Sequence, residues 1–453
     1  MKNFLSKAFS EQYQALRRGV GLRFGPLSLI RTSHLAGLKS KIAVLENQAA
    51  RGEGAHGAHS RAKRSVAFFH NSYYNFFYLA AALRKRGWDA ISVSIEAPDG
   101  EHAGFYHGND LCLYDADPFE MQRKIDAFLT EAIDRFGMVH FYGRGQLALS
   151  PSEFDYSSDF NHWPFDVMQL KQAGVKIGYS VSGCLDGVSQ TSVHKWSGCC
   201  DRCVWQNNPQ VCNDRSNLAW GHKFQMLCDL VASEGTPALD YQKGPRVFRE
   251  PLTTALDSGL WRPDIDVPEK YRLNREADEL IVYHAVGNFS FRANGERNLK
   301  GTGAVVAAID RLRAEGVKVR LEFVTDVPST EVRFIQVQAD VIVDQLNYGR
   351  YGATAREGMM LGVPTVCYMH KDEPVGEDRL DSIETCPLVS ANESTIYDVL
   401  RDLLNSAEKR KSIGRASREF AVKWHSAEVC AARFERVYDA LQADRQLNEV
   451  KAA

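Results

Sequence analysis

The sequence predicts two tandem α/β domains with parallel sheets, preceded by a basic helical arm. Two series of short apolar strands alternating with amphipathic helices carry that expectation, one opening at Ser65 and one at Leu280, and a charged, Pro-bearing stretch at 250–275 lies between them. The 453 residues suffice for two or three domains, each able to bury its own core. With 44% apolar, 25% charged and 10% aromatic residues, 34 Gly and 15 Pro, the chain is neither disordered, fibrous nor a coiled coil. No run approaches the roughly 18 apolar residues of a spanning helix. The N-terminus lacks the apolar core and cleavage site of a secretory signal, so the expected location is the cytoplasm.

The first series starts with the strand SVAFFH (65–70), followed by a helix with Phe76, Leu79, Ala80 and Leu83 on one face and Gly87 at its end. The strand DAISVSI (89–95) comes next. Asp117-Pro118-Phe119-Glu120 then supplies an N-cap, a proline at the first helical position and a returning carboxylate. That helix leads to MVHFY (138–142), and the helix PFDVMQLKQAG (164–174) leads to VKIGYSV (175–181). The second series runs from LIVYHA (280–285) through a helix with Val305, Ala308, Ile309 and Leu312, then VRLEFVT (319–325), a helix after Ser329, DVIVDQ (340–345), a helix near 353–361 and PTVCYM (364–369). In open parallel sheets ligands sit at the C-terminal strand ends, so two such domains facing one another are expected to form a cleft there.

A net charge of −2 conceals an asymmetry, because residues 1–64 hold 12 Lys+Arg against 3 Asp+Glu. The remaining acidic body argues against nucleic acid as a partner. In the arm, Phe4, Leu5, Ala8, Phe9, Tyr13 and Leu16 share a helical face, Leu35, Leu38, Ile42 and Leu45 follow a three-four spacing, and RGEGAHGAHSRAKR (51–64) reads as a flexible linker. Lys2, Lys7, Arg17, Arg18 and Arg23 beside the aromatic face suit an interfacial helix on anionic lipid; packing on its own domain or on a second subunit is the competing reading.

Two segments carry chemistry. In HAVGNFSFRANGERNLKGTGAVVAAIDRL (284–312) a strand end passes through a polar loop into a helix beginning at Gly301 or Thr302. Gly301 and Gly303 admit a diphosphate to backbone amides, the helix dipole favours its charge, and Lys300 and Arg292 neutralise it; a solvated basic loop is the alternative. No G-x-x-x-x-G-K-[ST] sequence occurs, which disfavours a P-loop ATPase. In DQLNYGRYGATAREGMMLGVPTV (344–366), Gly349 and Gly352 form a tight loop and Glu357 lies just inside the next helix. There its carboxylate either accepts paired hydrogen bonds from vicinal hydroxyls such as those of a ribose or stabilises its own helix.

Together these segments resemble the donor signature of GT-B glycosyltransferases, particularly the retaining family-four enzymes of bacterial polysaccharide and lipopolysaccharide synthesis. The KGT of 300–302 stands at their diphosphate position, and the run from Asp344 and Gln345 through Tyr351 and Gly352 to Glu357, Gly358 and Thr365 resembles their nucleotide-sugar site. The resemblance covers about 65 to 440 and implies the following organisation: a domain at 65–262 with a cysteine-rich insertion at 184–212, a nucleotide-sugar domain at 275–425, and a terminal helix in 426–453 that crosses back to the first domain. It further implies transfer of a hexose with retention, in cell-surface polysaccharide biosynthesis, from a nucleoside-diphosphate sugar to a glycan or lipid-linked acceptor. Lys300, Arg292 and the amides of Gly301, Thr302 and Gly303 would stabilise the leaving diphosphate, with no cofactor needed for catalysis.

Two departures bear on that reading. The family's second Glu, eight positions before the ribose carboxylate, is Gly349 here, so sugar contacts fall to Asp344, Gln345 or Tyr351. The family's His-Gly loop reads Ser182-Gly183-Cys184-Leu185-Asp186, which leaves His70, His140 and His284, each at a strand end, as either cleft residues or core histidines. Strand-end position makes Asn71, Tyr74, His140, Ser182, Gly183 and Asp186 the acceptor-side candidates. A nucleotide-sugar 2-epimerase or hydrolase, and a non-catalytic binding subunit that kept the fold, are the alternatives.

Five of the ten cysteines fall within 184–212. The C-x-x-C at Cys200 and Cys203, with Cys212 and one of Cys199, Cys184, His194 or His222, matches a tetrahedral structural zinc; free buried thiols and a disulfide or redox role are the other readings.

If the arm attaches the enzyme to the inner membrane face, the full chain binds anionic vesicles, salt weakens that binding, and a chain lacking residues 1–64 loses it. Equal vesicle binding by both chains in a sedimentation assay would make the arm a packing element.

Overall fold

The computed structural model describes residues 64–70, 73–74, 76–100, 103–143, 145–154, 162–195, 197–234, 240, 244–287, 298–325, 327–370, 385–447 and 450. The arm before Arg64, together with Asn71 and Arg292, lies outside them. The chain divides into two compact units. One comprises 1–58 and 161–163, of which only His162 and Trp163 are described; the other, 59–160 and 164–453, contains both predicted sheets.

The first sheet is built from β1 (Ser65–Phe69), β2 (Asp89–Ser94), β3 (Leu111–Cys112), β4 (Met138–Tyr142), β5 (Lys176–Val181) and β6 (Leu230–Ser233). Its order is β3-β2-β1-β4-β5-β6 and every pair is parallel. Helices α1 (Phe77–Lys85), α2 (Pro118–Arg135) and α3 (Phe165–Gln172) lie between strands where the apolar periodicity puts them. Asp117 caps α2 by accepting a hydrogen bond from the Phe119 amide at 2.9 Å, while Glu120 binds Arg123 at 2.9 Å instead of returning to the cap. The insertion carries the one-turn helices α4 (Gln190–Val193) and α5 (Cys199–Arg202), followed by α6 (Asp214–Leu227). The pair α6–β6 extends the sheet beyond the strands read from the sequence. Its signals are the Asn213 cap, which accepts from the Ser216 amide at 2.8 Å, and the spacing of Trp220, Phe224 and Leu227.

The second sheet, ordered β10-β9-β7-β8 and also parallel, comprises β7 (Leu280–Ala285), β8 (Val319–Val324), β9 (Val341–Val343) and β10 (Thr365–Val366). Helices α7 (Thr302–Ala314), α8 (Arg333–Gln336) and α9 (Ala353–Met360) fall between them. β9 is shorter than DVIVDQ, although the backbone amides of Asp340 and Asp344 at its two ends still donate to the carbonyls of Ile281 and Val366 (2.8 Å each); the Asp340 and Asp344 carboxylates accept from the Ile281 and Gly352 amides.

After α10 (Ile396–Leu404) and α11 (Ala407–His425), α12 (Ala427–Gln442) returns to the first sheet. Phe434 meets Phe68 edge-on at 6.4 Å, and Glu435 accepts from Arg64 (2.8 Å), Arg86 (2.8 Å) and the Trp88 indole (3.1 Å). One apolar cluster therefore runs from Val66 and Phe68 through Trp261 and Met360 to Val437 and Tyr438, across both sheets. Arg418 of α11 fastens the connection, donating to the carbonyls of Trp261 (2.6 Å), Met360 (2.6 Å) and Ser258 (3.0 Å). Beside it Gly414 lies so close to Gly362 that a Cβ on Gly414 would stand 2.3 Å from the Gly362 carbonyl oxygen.

Gly414→Ala is therefore expected to push α11 off the end of α9 and lower stability by about 1–3 kcal/mol, whereas Arg415→Ala on the exposed side of α11 leaves stability within about 0.5 kcal/mol. Equal urea midpoints for the two variants would show that the contact is slack.

Candidate functional site

The chemistry-bearing segments meet at the C-terminal ends of the second sheet. α7 opens on Gly301, whose φ of 67° is left-handed and where a Cβ would stand 2.9 Å from the Leu346 Cβ. Glycine is needed there for conformation and space together. Next to it, the Lys300 ammonium forms an ion pair with Asp344 Oδ1, and Asp344 Oδ2 accepts from the Gly352 amide, the cap of α9, at 2.9 Å. The Asp344 side chain is 0% exposed and that of Lys300 15%, so the pair ties the two helix-opening loops together out of water. Asn347 continues the link, donating through its side chain to the Asn298 carbonyl (2.6 Å) and to Glu393 (2.8 Å), while Asn298 donates to Glu393 at 3.0 Å. Arg202 of α5 pairs with the same carboxylate from the first lobe. Glu393, Asn298 and Asn347 were not singled out by sequence, since each is a surface-type polar residue far from its partners along the chain.

Glu357 lies in the second turn of α9, buried, with Oε2 accepting from Gln336 of α8 at 2.8 Å. Burial above all pushes its carboxyl up to about 7, opposed by the Gln336 hydrogen bond and the Arg356 charge. Its neighbour Arg356 crosses to the first lobe, donating to Glu234 at 2.8 Å and to the Thr254 hydroxyl, with its guanidinium 5.8 Å from the centroid of the Tyr74 ring. Arg356 and Glu234 were also missed, because no local pattern marks an ion pair between residues 122 positions apart.

Several expected roles change. His140 is 0% exposed, held between Tyr438 Oη (2.8 Å) and Ser180 Oγ (2.9 Å), and burial lowers its pKa to about 3; it is a neutral core residue, not a cleft residue. His284, also 0% exposed, bridges the Val343 carbonyl (2.9 Å) and Thr302 Oγ1 (3.0 Å), which positions the first residue of α7 and makes His284 a core histidine, not an open cleft residue. His70 is held by the Ala148 carbonyl at 2.7 Å. Tyr74 is 1% exposed, inside the junction of the lobes and not on an open acceptor face. Asp186 is buried and holds its own loop, accepting from the Tyr179 hydroxyl, Trp220 Nε1 (2.6 Å), the Ser182 amide (2.6 Å) and Ser182 Oγ (3.1 Å). Of the acceptor-side candidates described, Ser182 is exposed and Gly183 half-buried. Gln345 donates to the Arg350 carbonyl, and Tyr351 Oη is 3.1 Å from His425 Nε2, so both are engaged within the second lobe. Gly358 is a packing glycine: a Cβ would stand 2.5 Å from Thr365 Oγ1. Gly303 has open space around its Cα, and Thr302 adjoins it at the helix start.

The chain matches solved structures over most of its length. It is similar to sucrose-phosphate synthase from Thermosynechococcus elongatus, with 16% identity and a TM-score of 0.51 over 84% of this chain and 100% of that one. It is also similar to the catalytic domain of starch synthase IV from Arabidopsis thaliana, bound to ADP and acarbose, with 11% identity and a TM-score of 0.50 over 84% of this chain and 99% of that one. The fold is GT-B. No family model matches the sequence, and no curated protein matches it. Lys300, Gly301 and Glu357 all lie in the second lobe. Among the described residues no helix is long and apolar enough to cross a membrane.

All five insertion cysteines border one cavity of about 20 Å³, together with Trp205, Val193 and Leu299. Hydrogen bonding with Cys199, then burial, pushes the Cys200 thiol up. His222 is exposed and His194 stands 3.6 Å from Asp201, so neither of these alternative ligands belongs to the described lining. Among the described residues no three His, Cys, Asp or Glu side chains already stand in metal-holding geometry.

The raised Glu357 value has a definite sign. Since the folded carboxyl holds its proton where the unfolded one has released it, the wild type loses stability relative to Glu357→Gln as pH rises from about 4.5 to about 7. That loss totals roughly 3 kcal/mol, and above this range the gap stays constant. Urea titrations of both proteins across this range check it, and a gap independent of pH would mean that the carboxylate is ionised throughout.

Proposed function

We propose that this chain is a glycosyltransferase that moves a sugar from a nucleoside-diphosphate sugar to a glycan or lipid-linked acceptor, with retention. The observation that carries the reading is the meeting of Lys300 and the openings of α7 and α9 at one end of the second sheet, with Glu357 one turn into α9. A diphosphate placed against α7 meets its first amides and the Lys300 ammonium, groups that favour the charge developing on the leaving nucleotide. Asp344 keeps that ammonium at the strand end, so little rearrangement is needed when the diphosphate arrives. Glu357 is the candidate for the ribose hydroxyls, and the exposed Ser182 with Gly183 the candidate for the acceptor. Membrane attachment through the arm and a role in cell-surface polysaccharide synthesis belong to the same proposal, on the charge and aromatic face of residues 1–23.

A second reading, a non-catalytic nucleotide-sugar-binding subunit, draws on Gly349 in place of a sugar-facing carboxylate and on the burial of His140 and His284. Turnover by the isolated chain decides between the two.

The test of the donor site is a thermal-shift panel of UDP, GDP, ADP and CMP sugars, in which the matching donor raises Tm. Lys300→Ala alone strands a fully buried carboxylate and is expected to cost about 3–5 kcal/mol of stability. The neutral pair Lys300→Met with Asp344→Asn recovers most of this yet binds the donor nucleotide more weakly by about 1.5–3 kcal/mol. Unchanged affinity in the paired variant would take Lys300 out of the donor site.

A further inference from the structure

The insertion between β5 and α6 gathers five thiols around one small void, far more soft ligand chemistry than a structural loop requires. Cys184 comes from the loop after β5, Cys199 and Cys200 from α5, Cys203 from its end and Cys212 from the segment before α6. Three separate stretches of chain thus converge on about 20 Å³, enough for one small occupant. Two side-chain amides converge on the Cys212 sulfur: that of Gln190 donates to it at 3.1 Å and that of Asn217, itself 0% exposed, at 3.8 Å. Amide donors aimed at a sulfur, one half-buried and one buried here, are outer partners of the kind that orient a metal-bound thiolate.

The geometry points to a structural zinc site formed by the thiolates of Cys184, Cys200, Cys203 and Cys212, with Cys199 as a hydrogen-bonding neighbour of Cys200. Cys200 and Cys203 supply the C-x-x-C pair. Cys199 is left out because adjacent residues on a helical turn point about 100° apart and do not both reach one ion. Zinc at about 2.3 Å from each of four sulfurs separates the sulfurs by about 3.8 Å. Among the described residues no three of the sulfurs already stand in metal-holding geometry, so binding requires their side chains to rotate into the void they share. On binding, one Zn²⁺ replaces four thiol protons, which pass to solvent, and four sulfur–zinc bonds form with no change of oxidation state.

The site has a reason to be where it is. Leu299 lines the same cavity, one residue before Lys300, and Arg202 on α5 reaches Glu393, which also holds Asn298 and Asn347. A metal that stiffens the insertion therefore stiffens the surface on which the Lys300 loop rests. This consequence concerns the loop's order and does not depend on the identity of any donor.

Metal analysis of the full-length protein purified under reducing conditions is expected to find close to one zinc per chain, and cobalt exchanged into the site to give sulfur-to-metal charge-transfer absorption. Cys212→Ser is expected to lower the zinc content several-fold. Should that variant fail to fold, thiol titration of the wild type under native conditions serves instead, with four fewer reactive thiols in zinc-loaded than in chelator-treated protein. Hydrogen exchange at residues 298–303 is expected to quicken several-fold after chelation. Absence of zinc together with cobalt spectra lacking charge-transfer bands would overturn the site. Zinc present with unchanged exchange at 298–303 would overturn its link to the Lys300 loop.

Discussion

A carboxylate with no exposed surface must be neutralised where it lies, and Asp344 sets that condition for the whole second lobe. Its two oxygens take Lys300 from one loop and the cap of α9 from another, so the openings of α7 and α9 are fixed relative to each other by a single residue. The left-handed Gly301 against Leu346, and Thr302 held by His284, complete the seating of α7. As the diphosphate site proposed above, this arrangement would not need to collapse around its ligand, which is the condition under which fixed dipoles and charges act most strongly.

The two sheets are joined by burial and not only by chain connectivity. α11 and α12 carry the apolar core from one lobe to the other, and polar contacts sit inside that junction: Arg418 on three carbonyls, Arg356 on Glu234 and Thr254. Arg356 precedes Glu357 on the same helix, so the residue beside the candidate ribose carboxylate is also a tie to the first lobe. The charge of Arg356 favours the Glu357 anion while burial disfavours it, and burial prevails.

The histidines show how position along a strand can mislead. His140 and His284 both fall near strand ends, where cleft residues are found, yet both side chains turn into the packed interior and are fully satisfied there. Gly178 makes room for the His140 ring, since a Cβ on it would stand 2.5 Å from Nδ1. The period of a strand tells which residues share a face but not which face a distant helix will cover, and α12, some 300 residues later, is what covers His140.

Local physics was legible in the chain. Apolar runs of strand length gave β4 and β7 to the residue, the Asp117-Pro118 start gave α2, and the glycines and lysine before α7 gave the candidate diphosphate loop. Each of these depends on residues within a few positions of one another, which is the range over which periodicity, capping and backbone freedom act. The tertiary structure alone decided that Lys300 would meet Asp344, that Arg356 would cross to Glu234, that Gly301 answers to Leu346, and that Leu299 would line the cysteine cavity. These pairings join segments tens to hundreds of positions apart. Their energy comes from burying charge and apolar surface once the sheets have stacked, and no local signal in the sequence encodes it.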